Sequence, residues 1–149
     1  MSEVSVQAAD FDVGAEVTAL SAGDAEAGAV ASFVGLVRGS EIVAMTLEHY
    51  PGMTEQALAE IVVQARGRWA LRRVRVIHRV GKLLPGERIV FVGVASSHRH
   101  DAFAACEFIM DYLKTQAPFW KKEELLNGPA GGCWVDARES DDVAANRWK

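Results

Sequence analysis

The sequence predicts an α+β domain, a mostly antiparallel sheet covered by two main helices. Three observations predict it. Two segments, following Thr54 and Ser97, place apolar residues at three- and four-residue steps, the period of an amphipathic helix. Three short runs, Ala27–Val37, Arg73–Val80 and Arg88–Ala95, are rich in β-branched residues and read as strands. Turn residues at Arg38-Gly39-Ser40, Tyr50-Pro51-Gly52 and Leu84-Pro85-Gly86-Glu87 punctuate the chain between these runs.

Each element follows from its local composition. Val4–Val6 is a short strand, and Ala15–Leu20 a short helix, in an otherwise polar, Ala-rich beginning. Ala27–Val37, AGAVASFVGLV, reads as a buried strand. Val43–His49 is expected to be its partner strand. Thr54 is placed to cap a helix beginning at Glu55, whose apolar face is Leu58, Ile61, Val62, Ala65 and Trp69. Arg73–Val80 alternates, with Val74, Val76, His78 and Val80 on one face. Arg88–Ala95, RIVFVGVA, is the strongest strand signal and is expected at the centre. Ser97 is placed to cap the next helix, with Ala102, Cys106, Ile109 and Leu113 as its stripe, widened by Phe103 and Met110. Pro118 disfavours helical geometry at Ala117, so this helix stops near Thr115 or Gln116. Lys121–Glu123 reads as a charged turn, Leu125–Ala130 as turn-rich, Trp134–Ala137 as a last strand, and Asp141–Trp148 as a final helical turn or two.

The chain has 149 residues, a length that favours one domain with a real core. With 16 Lys+Arg against 20 Asp+Glu its net charge is −4, which argues against a broad nucleic-acid footprint. Local basic clusters in an acidic chain suit a small anion or an acidic peptide tail. No stretch approaches the ~20 apolar residues of a membrane span, and the acidic beginning lacks a signal-peptide pattern. A cytoplasmic location is the expectation. Cys106 and Cys133 form neither a disulfide framework nor a zinc pattern. Cys106 falls on the apolar face of its helix, and Cys133 beside Gly131 and Gly132 in a loop.

The candidate site residues cluster at the two ends of the helix after Ser97. His98, Arg99 and His100 stand at its start, where the helix already carries partial positive charge. They are either a solvated loop or an anion site completed by the free N–H groups of the first turn. A His-x-His pair can hold metal, but Arg99 between the two would repel a cation, and no metal is expected. At the other end, Lys114 suits the helix dipole as a purely structural residue. It is also flanked in sequence by Tyr112, Phe119 and Trp120, and an aromatic pocket would lower its pKa towards acid–base use. Lys121 and Lys122 follow the aromatic pair, and Arg38 follows the first long strand. Asp136, Glu139, Asp141 and Asp142 surround Arg138 as a salt-bridge network would.

Arg99 and Lys114 are fifteen residues apart in the sequence, which on one helix is roughly 22 Å. One small ligand cannot bridge them within a single chain. Either there are two sites, or two copies pack so that the start of one helix meets the end of the other, which a two-fold dimer does twice.

The residues also match a known family. The chain resembles the large, catalytic subunit of molybdopterin synthase through Phe33–Arg38, TLEHYPGMTEQALAEI from Thr46, VIHRVGKLLPGERIVFVGVASSHRHDAF from Val76, FIMDYLKTQAPFWKKE from Phe108 and WVDARESD from Trp134. Residues 1–28 carry no usable motif, and the segments after Arg38 and from Leu125 to Cys133 depart from the family pattern. The resemblance implies an α/β hammerhead-type fold with an added β subdomain. It implies transfer of two sulfurs to cyclic pyranopterin monophosphate, making the dithiolene of molybdopterin. The sulfur would come from the C-terminal thiocarboxylate of a small ubiquitin-like partner subunit, with no cofactor or metal in the step. It implies a central homodimer with a small subunit at each end. Carried over by motif position, Lys114 and Lys121 are catalytic, and Arg38, His98, Arg99, Lys122 and Arg138 bind substrate. A non-enzymatic alternative is a docking module for a Gly-Gly tail, which would not need the phosphate-type cluster around Arg99.

Overall fold

A computed structural model describes residues 2–128, 131–135 and 139–149 of the chain. The elements run β1 (Val4–Gln7), α1 (Val13–Ser21), β2 (Ala29–Leu36), β3 (Ile42–His49), α2 (Met53–Arg68), β4 (Val74–Arg79), β5 (Gly81–Leu83), β6 (Arg88–Ser96), α3 (Arg99–Gln116), β7 (Phe119–Leu125), β8 (Cys133–Val135) and α4 (Glu139–Asn146). They build two four-stranded sheets, in the orders β1-β4-β6-β2 and β5-β3-β7-β8. Every pairing is antiparallel except β1 with β4. The α+β expectation therefore holds, with the second sheet as the added β subdomain.

The first sheet is covered on both faces, which explains why Arg88–Ala95 is apolar almost without interruption. On one side, Leu58, Ile61, Val62 and Ala65 of α2 and Ala105, Phe108, Ile109 and Leu113 of α3 pack on Val74, Val76, Val90, Val92 and Val94. On the other, Phe11 and Leu20 pack on Ile77, Phe91 and Ala95. β1 thus supplies an edge strand, and Phe11 with α1 a cover for the back of the sheet. Gly93 lets α1 approach closely, since a Cβ there would lie 2.4 Å from Leu20 Cδ1. Burying the Val, Leu, Ile and Phe side chains among them contributes about 1.5–3 kcal/mol each, so this sandwich dominates the stability.

Several expectations change. β2 is an edge strand rather than a buried one: it pairs only with β6, and Val30, Phe33 and Leu36 are exposed. β3 does not pair with β2 but crosses to the second sheet, between β5 and β7. Lys121–Glu123 is not a turn but the middle of β7, held between β3 and β8. Phe103 lies outside the helix stripe and is exposed. Both predicted caps are displaced. Ser97 Oγ donates to the Glu26 carbonyl while His98 occupies the N-cap of α3. Gly52, at φ 85°, starts α2, and the Glu55 carboxylate reaches back to its N–H at 3.2 Å. Thr54 is fully buried and does something else: its Oγ1 accepts from Tyr50 N–H at 3.0 Å and donates to the Pro118 carbonyl at 2.9 Å. It ties the start of α2 to the residue that precedes β7.

Candidate functional site

A cavity of about 410 Å³ opens where the second sheet meets the end of α3 and the start of α4. Strand alternation fills its wall. Phe119, Lys121 and Glu123, every second residue of β7, line it, as do Met45 and Leu47 of β3. The last turn of α3 adds Leu113 and Lys114, the chain after β2 adds Arg38, β4 adds His78, and α4 adds Ser140 and Asp141. Leu36, Ile42 and Ile89 complete an apolar floor. Three cations from three separate parts of the sequence thus share one hollow, suited to an extended tail ending in an anion.

The electrostatics of the wall are uneven. Lys121 Nζ lies 3.9 Å from Glu123 Oε1, both partly exposed. Lys114 is solvent-exposed. The aromatic pocket expected around it reduces to Phe119, because Tyr112 turns into the core against Phe108 and Trp120 turns outward against Tyr50. His78 is buried, and its imidazole stacks on Phe119 with centroids 3.8 Å apart. Desolvation, reinforced by the nearby Lys114 and His49, pushes its pKa down to about 4, so it is neutral at pH 7. Sequence inspection placed His78 on a strand face but did not connect it to the site. The available signal was a lone imidazole in an otherwise valine-lined row. A larger open depression of about 550 Å³ lies at the start of α1, where Asp10 already pairs with Arg88.

The other candidates are elsewhere. His98, Arg99 and His100 are exposed at the opposite end of α3, away from this cavity. Lys122 points to the other face of β7, where its ammonium lies 5.7 Å from the centre of the Trp134 ring. Arg138 and Asp136 lie outside the described residues, and so does the side chain of Glu139. Cys106 is buried, and burial pushes its thiol up to about 11. Among the described residues no three His, Cys, Asp or Glu side chains converge as metal ligands, and no helix is long and apolar enough to cross a membrane.

The MoaE protein family matches residues 6–116. The chain belongs to that family. A molybdopterin synthase catalytic subunit from Ralstonia nicotianae is 60% identical over 152 residues, covering 99% of this chain and 85% of the relative. One from Escherichia coli K12 is 61% identical over 142 residues, covering 93% and 92%. A solved structure, the molybdopterin biosynthesis MoaE protein from Burkholderia ambifaria, superposes with a TM-score of 0.86 at 55% identity, covering 99% of this chain and 98% of that one. The family match takes in Arg38, His78, His98, Arg99 and Lys114, so both ends of α3 fall inside it. Lys121 and Lys122 lie beyond it but within the span shared with the Ralstonia relative.

Proposed function

We propose that the chain is the catalytic subunit of a molybdopterin synthase, transferring two sulfurs to cyclic pyranopterin monophosphate, one from the C-terminal thiocarboxylate of each of two molecules of a small ubiquitin-like partner. Its relatives carry the name catalytic subunit, and family membership supports the same chemistry here. The observation that carries the residue assignment is the convergence of Arg38, Lys114 and Lys121 on one cavity. A thin Gly-Gly tail suits a cavity whose walls are partly apolar. Lys114 and Lys121 position the acyl sulfur, stabilise the negative charge that develops as it attacks the pterin, and move protons in that step. No cysteine is needed, since the sulfur arrives on the partner.

The substrate phosphate requires a second set of cations. His98 and Arg99 are too far along α3 to reach the cavity of their own chain, at roughly 22 Å. In a two-fold homodimer they are supplied by a second copy, and Arg38 and Arg138 complete the clamp. The exposed apolar edge strand β2 gives such a dimer a surface to bury. The reaction takes place in the cytoplasm.

Purified protein, cyclic pyranopterin monophosphate and a thiocarboxylated small subunit should together yield the dithiolene. Lys114→Ala should lower the yield by at least about 100-fold with its fold intact. No product from the native chain would leave only a tail-docking role, and full activity in Lys114→Ala would remove that lysine from the mechanism.

A further inference from the structure

Of the three cations around the cavity, Arg38 alone stands on neither a strand nor a helix. It sits in the short link between β2 and β3, yet that link is tied on both sides of it. Before it, Val37 N–H donates to the Glu87 carbonyl and the Val37 carbonyl accepts from Gly86 N–H, both at 2.9 Å. After it, the Glu41 carbonyl accepts from Leu126 N–H at 3.1 Å. The end of β2 is also re-aimed. Gly35 pairs with Val90 and Leu36 with Arg88, so Ile89 of β6 is bulged out of register. Beyond the bulge Leu36 and Arg38 both line the cavity, with Val37 buried between them.

The surface that receives the link is the turn Leu84-Pro85-Gly86-Glu87. Glu87 N–H donates to the Leu84 carbonyl at 3.0 Å and Gly86 takes φ 87°, the form of a type II turn with proline and glycine at its centre. The Glu87 carboxylate accepts from Leu84 N–H at 2.5 Å and from the Arg79 guanidinium at 3.3 Å, which braces the turn to β4. Gly39 lies directly on it: a Cβ there would fall 2.6 Å from Pro85 Cβ. Gly39 does not have a left-handed backbone, so this close approach is what a side chain would violate.

We propose that the Leu84–Glu87 turn is the positioning element for Arg38, and that the Gly39–Pro85 contact sets the direction of that guanidinium towards the substrate phosphate. The inference rests on Arg38 being a phosphate clamp. An arginine on a free loop spreads over many positions, and a planar, two-pronged grip on phosphate needs one of them. Backbone held at both neighbours narrows that spread before the substrate arrives.

Calorimetric titration with cyclic pyranopterin monophosphate, without the sulfur-carrying partner, reads this through binding alone. Arg38→Ala should weaken binding about tenfold, as loss of a charge-assisted contact does. Gly39→Ala, which pushes the link off Pro85, should cost nearly as much. Combined with Pro85→Gly, which removes the opposing Cβ, it should return to within about twofold of native. Added to Arg38→Ala, Gly39→Ala should cost nothing further. Glu87→Ala loosens the turn without crowding it and serves where Gly39→Ala misfolds: it should cost about threefold in the native chain and nothing beside Arg38→Ala. Native binding by folded Gly39→Ala, or equal losses from either variant with and without the Arg38 guanidinium, overturns the proposal. Native binding by Arg38→Ala is a separate failure, which removes Arg38 from the clamp and the turn's role with it.

Discussion

The imidazole of His78 and the ring of Phe119 are stacked 3.8 Å apart, joining the central sheet to the strand that carries Lys121. Its cost appears in acid. In the unfolded chain His78 protonates near 6.5, whereas in the folded one it resists until about 4. Below 6.5 the unfolded state therefore binds the extra proton, and stability falls as pH drops through that window, by about 3 kcal/mol in all from this group. The difference in unfolding free energy between native protein and His78→Phe should shift in favour of the variant as pH falls from 7 towards 4.5. Parallel denaturant curves across that range would contradict the buried neutral assignment.

Thr54 should matter for stability although it touches no ligand. Thr54→Val keeps the shape and leaves Tyr50 N–H and the Pro118 carbonyl without their partner. An unsatisfied buried group costs about 1–3 kcal/mol. A loss of about 2 kcal/mol corresponds to roughly 4–8 °C in Tm for a chain of this size. A calorimetric scan measures it, and an unchanged Tm would show that the hydroxyl is dispensable.

Lys121 and Lys122 are adjacent but face opposite sides of β7. Lys121→Ala should cut product formation by about 100-fold or more while leaving Tm within a degree or two. Lys122→Ala should cost activity far less, acting through the Trp134 contact and the loss of nearby charge. Equal losses in the two variants would place both lysines on the substrate.

The two thiols should differ in reactivity. Cys106 is buried and held protonated by its surroundings, while Cys133 is partly exposed. Iodoacetamide at pH 8 should modify one thiol per chain quickly, located by mass spectrometry at Cys133. Fast modification of Cys106 would mean that α3 opens readily.

Much of the fold was legible because its signals are local. The helical stripe of Leu58, Ile61, Val62 and Ala65, the stop before Pro118 and the dense apolar run of β6 each follow from a few residues. The errors share a cause in long-range pairing. Nothing in Ala29–Leu36 says that one edge stays open, and nothing in Ile42–His49 says that it joins another sheet. Lys121–Glu123 is too charged to read as a strand, yet β3 and β8 hold it as one and so aim Lys121 inward. For the site, Arg38, Lys114 and Lys121 were visible as residues, but only the fold shows that they converge without His98 or Arg99. His78 was overlooked because a histidine among valines looks like core until its neighbours are known.

The central claim is that the two cationic ends of α3 belong to one site built by two copies, and subunit mixing tests it most directly. Arg99→Ala and Lys114→Ala proteins, each inactive, should be unfolded and refolded together with the thiocarboxylated partner and cyclic pyranopterin monophosphate. Random pairing gives mixed dimers with one intact and one doubly altered site, so activity should return to about a quarter of native. If mixed dimers form, as mass spectrometry would verify, and no activity returns, the shared site is contradicted.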